Sequence, residues 1–371
     1  SSTATIPAND LVVTNTNDSG DGSLRQAITN ANAFATDDTI TFTTAGTIGL
    51  TSVLPNLANN GSLTIDGGGV ITVTRSGGTA FRIFDVPSGA NVYIDGLTIT
   101  NGSAGYGAGI SNLGTLTVNN SRFSGNISSN VGGGIYNAGT LTVNNSIFSG
   151  NSGASSGGGI NTTTSSTTLI INSRFEGNST SNVGGAILNS ANMTIINSTF
   201  SGNSASNGGA GIYTSGILNL RNSIIANSTG SGCALYNSAQ TVNAQNSLIE
   251  DGLTCVTNDL GGNLTGPAAL NADFTLSSSS PAINAGSNTL VPVDVTTDLA
   301  GNPRIQQSIV DMGAYESPYL PFVPEVTISP VAFNVSEGAN VDVTITRTGP
   351  TTSDLTVTLN IAQGAGTIEA D

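Results

Sequence analysis

Between about residue 110 and about residue 250 the apolar positions come in short alternating runs. TLTV occurs at Thr115–Val118 and again at Thr140–Val143, followed by TLII at Thr168–Ile171, MTII at Met193–Ile196 and ILNL at Ile217–Leu220. Alternation with period two over so few residues predicts strands three to five residues long. Gly and Asn-Ser pairs separate the runs and mark turns. Helical spacing is clear in one place, DGSLRQAITNANAF. There Leu24, Ala27, Ile28 and Ala31 form an apolar stripe, Ser23 stands at the N-cap, and Gln26 three residues on completes a capping box. A short helix is expected here, as a lid over the first layer of strands.

The runs repeat. The element Asn-Ser-x-[Phe/Ile] begins at Asn120, Asn145, Asn172, Asn197, Asn222 and Asn246, at steps of 25, 27, 25, 25 and 24 residues. A second element, Gly-[Gly/Ala]-[Gly/Ala]-Ile, places Ile110, Ile135, Ile160, Ile187 and Ile212 at steps of 25, 25, 27 and 25. Both ladders slip by two residues in the same coil, where TTTSSTT (Thr162–Thr168) is longer, so both belong to one structural unit. A fixed period of this size signals stacked repeats. A propeller blade needs about 40 residues, and a leucine-rich pattern is absent. The remaining architecture is all-β: a parallel β-helix, a solenoid of ~25-residue coils with three short strands each, about ten coils between residues 60 and 315. Equivalent residues then lie one strand spacing apart, about 4.8 Å. Phe123, Phe148, Phe175 and Phe200 are expected to stack inside, continued by Ile225 and Ile249. The Asn120 series is expected at an inward turn, its amides hydrogen-bonded along the stack and its backbone left-handed at a sharp corner.

Composition narrows the function. Only 8% of residues are charged, while 37% are hydrophobic, which fits a folded chain. No run of 18 apolar residues provides a membrane-spanning helix, so membrane insertion is not expected. All 8 basic residues are Arg against 23 acids, a net charge of −15, and the chain has no His, Lys or Trp. That sign opposes nucleic acid and anionic membrane surfaces. Cys233 and Cys255 are compatible with one disulfide and an oxidising compartment, or with two unpaired buried thiols. The opening SSTATIPAND has no charged start and no apolar stretch, so export is an expectation from composition, with any leader already removed.

DSGDGSLRQAITNANA (Asp18–Ala33) with DTITF (Asp38–Phe42) resembles the entry segment of bacterial secreted right-handed β-helix proteins. These are often labelled by a CSLREA motif and are related to polymorphic outer-membrane-protein repeats. Gly22 stands where that motif has Cys. SPAINAG (Ser280–Gly286), TDLAGNPR (Thr297–Arg304) and VDMGAYE (Val310–Glu316) resemble the exit segment of the same family. The resemblance covers about residues 10–316 and implies a right-handed coil, secretion, and two cysteines flanking the late coils, as Cys233 and Cys255 do. After the proline-rich SPYLPFVPE (Ser317–Glu325), VSEG (Val335–Gly338), VDVTITRTG (Val341–Gly349) and the final GTIEAD resemble the first half of a Calx-beta domain, a calcium-binding β-sandwich. That resemblance implies calcium ligands at Glu337 and Asp371. Two carboxylates do not supply the six to eight oxygens calcium takes, and the acidic cluster that completes the family's site is not in this sequence. The expected organisation is an extended N-terminal segment over 1–16, the parallel β-helix with its cap over 17–316, a stiff linker over 317–324 and a partial β-sandwich over 325–371. Half a sandwich has an open edge, and the alternating segment Ser2–Asn15 is a candidate donor strand from a second copy, which would join copies head to tail.

Acid–base chemistry is poorly provided for. Between Gly96 and Ile249 the sole acid is Glu176, whereas glycoside hydrolysis uses a pair of carboxylates. Glu176 in RFEGN has Arg174 beside it, which reads as a surface ion pair. Without His or Lys the usual bases are absent, and without Trp the usual sugar-stacking platform is missing. The chain is therefore expected to be an extracellular, cell-surface structural or adhesive rod, not an enzyme. Its expected partners are copies of itself or surface polysaccharide. The competing readings are a polysaccharide lyase or glycosidase and a carbohydrate-binding module.

Overall fold

The structure, a computed structural model, describes residues 8–58, 61–320, 325–329 and 344–348. The chain divides into two units, residues 1–321 and 322–371. In the first unit the central coils share one plan. Thr115–Asn119 runs to a corner at Asn120-Ser121, and Arg122–Ser124 runs to a corner at Gly125-Asn126. Ile127–Val131 then leads to a glycine corner, and Ile135–Asn137 closes the lap. The next coil pairs in parallel and in register, Leu116 beside Leu141 and Ile110 beside Ile135. Rungs of the longest sheet begin at Asp38, Ser62, Asn91, Thr115, Thr140, Thr167, Asn192, Ile217, Thr241 and Asn258, giving about nine turns. The three sheets match the three strands per lap read from the sequence, the longest being bent at the Asn-Ser corner.

The bend has a backbone cause. Asn120, Asn145, Asn172, Asn197, Asn222 and Asn246 all have φ between 45° and 51°, the left-handed region that Asn tolerates better than other residues with a side chain. The corner reverses the expected direction of these side chains. Asn120 is exposed and Asn145 half-exposed, so the series points out of the solenoid. The inward amide ladder belongs to a different set, the Asn of the Gly-Asn corner. Asn126, Asn151, Asn178 and Asn203 are fully buried. Asn126 Nδ2 donates to Asn151 Oδ1 at 2.9 Å, Asn151 to Asn178 at 2.9 Å and Asn178 to Asn203 at 3.0 Å. Each of these oxygens also accepts the backbone N–H of the preceding coil's Asn, and the Nδ2 of Asn151 and Asn178 caps Phe123 O and Phe148 O. The buried hydroxyls of Ser121, Ser146, Ser173, Ser198 and Ser223 work the same way. Each accepts an N–H from the coil before and donates to the carbonyl two residues back. Polar atoms sealed in the wall are thus paired along the axis, which removes the cost of burying them.

Inside, Phe123, Phe148, Phe175 and Phe200 stack with ring centroids 4.6, 4.7 and 4.7 Å apart and planes within 7° of parallel. The separation is the strand spacing, so the backbone pitch sets it. Ile225 and Ile249 continue the column.

The helix Leu24–Ala31 covers the first coil with Leu24, Ala27, Ile28 and Ala31 buried, and Ser23 Oγ accepts from Gln26 N. The capping box closes on one side only, because the Gln26 side chain donates to Asn30 Oδ1 at 2.7 Å. Arg25 ties the lid to the rod through Asp18 at 2.6 Å and Ser52 O at 3.0 Å. Gly22 has φ +72° and a Cβ there would lie 2.1 Å from Thr14 Oγ1, so the turn before the helix has no room for a side chain. Upstream, the chain is not free from Ala8 onward. Val12–Val13 pairs in parallel with Thr41–Phe42, and Val13 is fully buried. A donor strand taken from this segment has to unmake the first coil; residues 1–7 lie outside the described ones. At the far end Cys233 and Cys255 form a disulfide, a stitch across nearly one lap. In the second unit Glu325–Ser329 pairs antiparallel with Thr344–Thr348.

Two substitutions test the ladders by thermal or denaturant unfolding. Phe148→Ala is expected to cost about 3–5 kcal/mol, since neighbours one pitch away cannot close the gap. Asn151→Ala is expected to cost about 1–3 kcal/mol for each group left unpaired, although it exposes no apolar surface.

Candidate functional site

The repeat ends earlier than its sequence pattern implied. Leu264–Thr265 is the last strand of the stack, and from residue 266 to residue 320 the chain runs back along the outward asparagine corner. The segments resembling a family exit are therefore a strap on the side of the rod. Asn246 Nδ2 donates to Ala285 O at 3.2 Å, Asn222 exchanges two hydrogen bonds with Ser287 at 2.9 and 3.0 Å, and Asn172 Nδ2 donates to Thr297 O at 3.0 Å. Beneath the strap lies a second apolar cluster, Ile224, Ala226 and Leu248 of the coils against Ala268, Leu276, Ala282, Ile283 and Met312. Gly313, at φ +98°, presses so close that a Cβ would stand 2.7 Å from Thr199 Oγ1.

The x of the Asn-Ser-x element held the signal for this contact. It reads Arg122, Ile147, Arg174, Thr199, Ile224 and Leu248 along one outward column, turning apolar where the strap lies. Arg174 is at the border. It pairs with Glu176 at 2.9 Å, donates to Tyr315 Oη at 2.6 Å and lies 4.6 Å from the Phe274 ring centroid. The Arg174 and Glu176 side chains are only 13% and 12% exposed, so the pair expected at the surface is roofed by the strap. The linker likewise starts later than residue 317, because Ser317 is buried and its N–H donates to Asp311 Oδ2 at 2.6 Å.

Four buried charged residues hold the strap. Arg304, 1% exposed, meets Glu316 Oε1 at 2.6 Å and reaches across to Asn172 Oδ1 at 3.0 Å. Asp298 accepts the N–H groups of Ala300, Asn302 and Glu316, and Asp311 accepts those of Asn284 and Ser317. Three carboxyls share one guanidinium, and burial pushes Glu316 up to about 7 and raises Asp311 as well. Burial also lowers Arg304, but the surplus is acidic and arginine holds its proton in proteins, so a proton taken up here goes to a carboxyl. Asn197 is fully buried, and neither its Nδ2 nor its Oδ1 is paired among the described residues.

The residues singled out by sequence separate into roles. The Phe123 series packs the interior, the Asn120 series makes the corner and docks the strap, and Cys233 and Cys255 are bonded to each other. Glu337 and Asp371 lie outside the described residues. Among the described residues no group of three His, Cys, Asp or Glu side chains is placed to hold a metal ion, and no helix is long and apolar enough to cross a membrane. The arrangement provides a sealed rod wall, a clasp, and beside it a small polar cleft.

The clasp makes a pH prediction. Glu316 ordinarily titrates near 4.5, so between there and about 7 the folded state holds the extra proton. Stability therefore falls as pH rises through this window. Protease resistance of residues 284–317 is expected to be higher at about pH 5 than at about pH 8, and Glu316→Gln is expected to flatten the difference.

Residues 126–265, or 140 of the 371, match the family model described as right handed beta helix region. No curated protein and no solved structure matches the chain. The stacked parallel rungs, read with this match, make the chain a right-handed parallel β-helix protein.

Proposed function

We propose that the chain is a non-catalytic structural and adhesive component of an extracellular surface or matrix, serving as a stiff spacer. The observation that carries this reading is the fate of Glu176. It is the one acid between Gly96 and Ile249, and it lies paired with Arg174 at 2.9 Å beneath the strap, its side chain only 12% exposed. It is thus held as an ion pair and not presented to a substrate as the carboxyl pair of a hydrolase would be. What the coils present to solvent is mostly Thr, Asn and Ser, an uncharged and well-hydrated face. Ten rungs at about 4.8 Å give a rod of about 45 Å whose bending would break axial hydrogen bonds on one side. The disulfide fits an oxidising compartment. Calcium binding by the second unit and head-to-tail assembly belong to the same proposal; the last rung, Asn258–Asp259 and Leu264–Thr265, has no further strand paired on it among the described residues.

Three measurements on the purified chain test this. Incubation with plant, bacterial and animal polysaccharides is expected to release no new reducing or unsaturated ends, and turnover of any of them would sink the non-catalytic reading. Coated beads are expected to adhere to cell or matrix preparations above a control protein. Electron microscopy is expected to show filaments many rods long; isolated short rods would remove head-to-tail assembly and leave the spacer reading.

A further inference from the structure

Beside the clasp a cleft of about 280 Å³ opens between the strap and the coils that begin at Thr115 and Thr140. Its floor is two asparagine pairs one coil apart, Asn119 with Asn120 and Asn144 with Asn145, and its wall is the stretch from Asp294 to Thr297. Each amide commits only half of its capacity to the protein. Asn144 Nδ2 donates to Asn119 Oδ1 at 3.0 Å, Asn120 Nδ2 donates to Asp95 Oδ1 at 2.9 Å, and Asn145 Oδ1 accepts from Asn172 Nδ2 at 2.6 Å. The Nδ2 donors of Asn119 and Asn145 and the Oδ1 acceptors of Asn120 and Asn144 have no partner among the described residues. The exposed Asp294 carboxylate is likewise unpaired there. Ile171 and Val295 add a small apolar surface.

We propose that this cleft binds a neutral sugar residue of a surface glycan; the proposal rests on the adhesive reading above and names its ligand class. Donors and acceptors alternate across one coil spacing, about 4.8 Å. Sugar hydroxyls match such a floor because each both donates and accepts. Asp294 supplies a charge-assisted acceptor for a hydroxyl, and the apolar patch meets the C–H face of a ring. The acids at the border, Asp95 and Asp294, and the absence of any Arg from the lining disfavour an acidic sugar. The strap contributes the wall, so the cleft exists only while the strap is docked.

The test titrates the full chain with oligosaccharides of glucose, galactose, mannose and N-acetylglucosamine, read by saturation-transfer NMR and calorimetry, and with calcium alone. At least one saccharide is expected to bind weakly. Asp294→Ala is expected to weaken it about tenfold or more and Asn144→Ala about fivefold, the scale of one charged and one neutral hydrogen bond. Asn243→Ala, on the same face several coils away, is expected to leave saccharide binding unchanged although it loses its hydrogen bonds with Asn219 and Asn258, and a cooperative melting transition shows each variant folded. Saccharide binding indifferent to Asp294→Ala and Asn144→Ala overturns the site and leaves adhesion standing, as does cell adhesion without any saccharide binding. Failure of adhesion itself removes the reading beneath it. Calcium binding lost in Asp294→Ala, with no saccharide bound, makes the cleft a metal site and overturns the proposal.

Discussion

The pitch of a parallel sheet allows each residue one partner above and one below, at a spacing the backbone dictates. In this rod that constraint falls on side chains as much as on the main chain. The Phe123 column touches ring to ring because successive coils place identical residues one pitch apart. The Asn126 and Ser121 series are paired for the same reason. An amide buried in a thin wall has no room for water and few neighbours within its own coil, so its partner is its counterpart in the next. A residue at one of these positions is judged by whether the adjacent coils carry its complement. Polarity alone does not decide whether it fits.

The strap obeys a different logic. Residues 266–320 carry no repeat, yet they recognise one, since the corner asparagines offer outward amides at regular intervals. Along the outward column Arg174 marks the border of the strap, and beyond it the coils carry Thr199, Ile224 and Leu248. The clasp residues then close a compact charged cluster around Arg304. A buried cluster with more carboxyl than guanidinium is poor evidence for stability, and its excess acidity makes this contact responsive to protonation while the ladders carry no titratable group.

The division bears on function. The ladders that close the wall are uncharged, so their hydrogen bonds do not titrate, which suits a spacer. The sensitive and ligand-competent features gather along one line, where strap meets asparagine corner. Glu176, Asp294 and the half-used amides of Asn119 to Asn145 all lie on that line, and the adhesive proposal depends on it.

Period, strand length and the Phe column were legible in the sequence, because each follows from local alternation and a repeat count, and stacking turns a period into a contact. The lid helix was legible from its cap and stripe. Which asparagine faces inward was not. Asn120 and Asn126 recur with the same steps, and only the left-handed turn at the first, with the burial of the second, separates them. The return path of residues 266–320 was hidden for a related reason. A repeat announces itself by similarity along the chain, whereas a strap is defined by what it lies against, and that complementarity exists only once the coils have brought residues such as Asn172 and Arg304, 132 positions apart, to the same place.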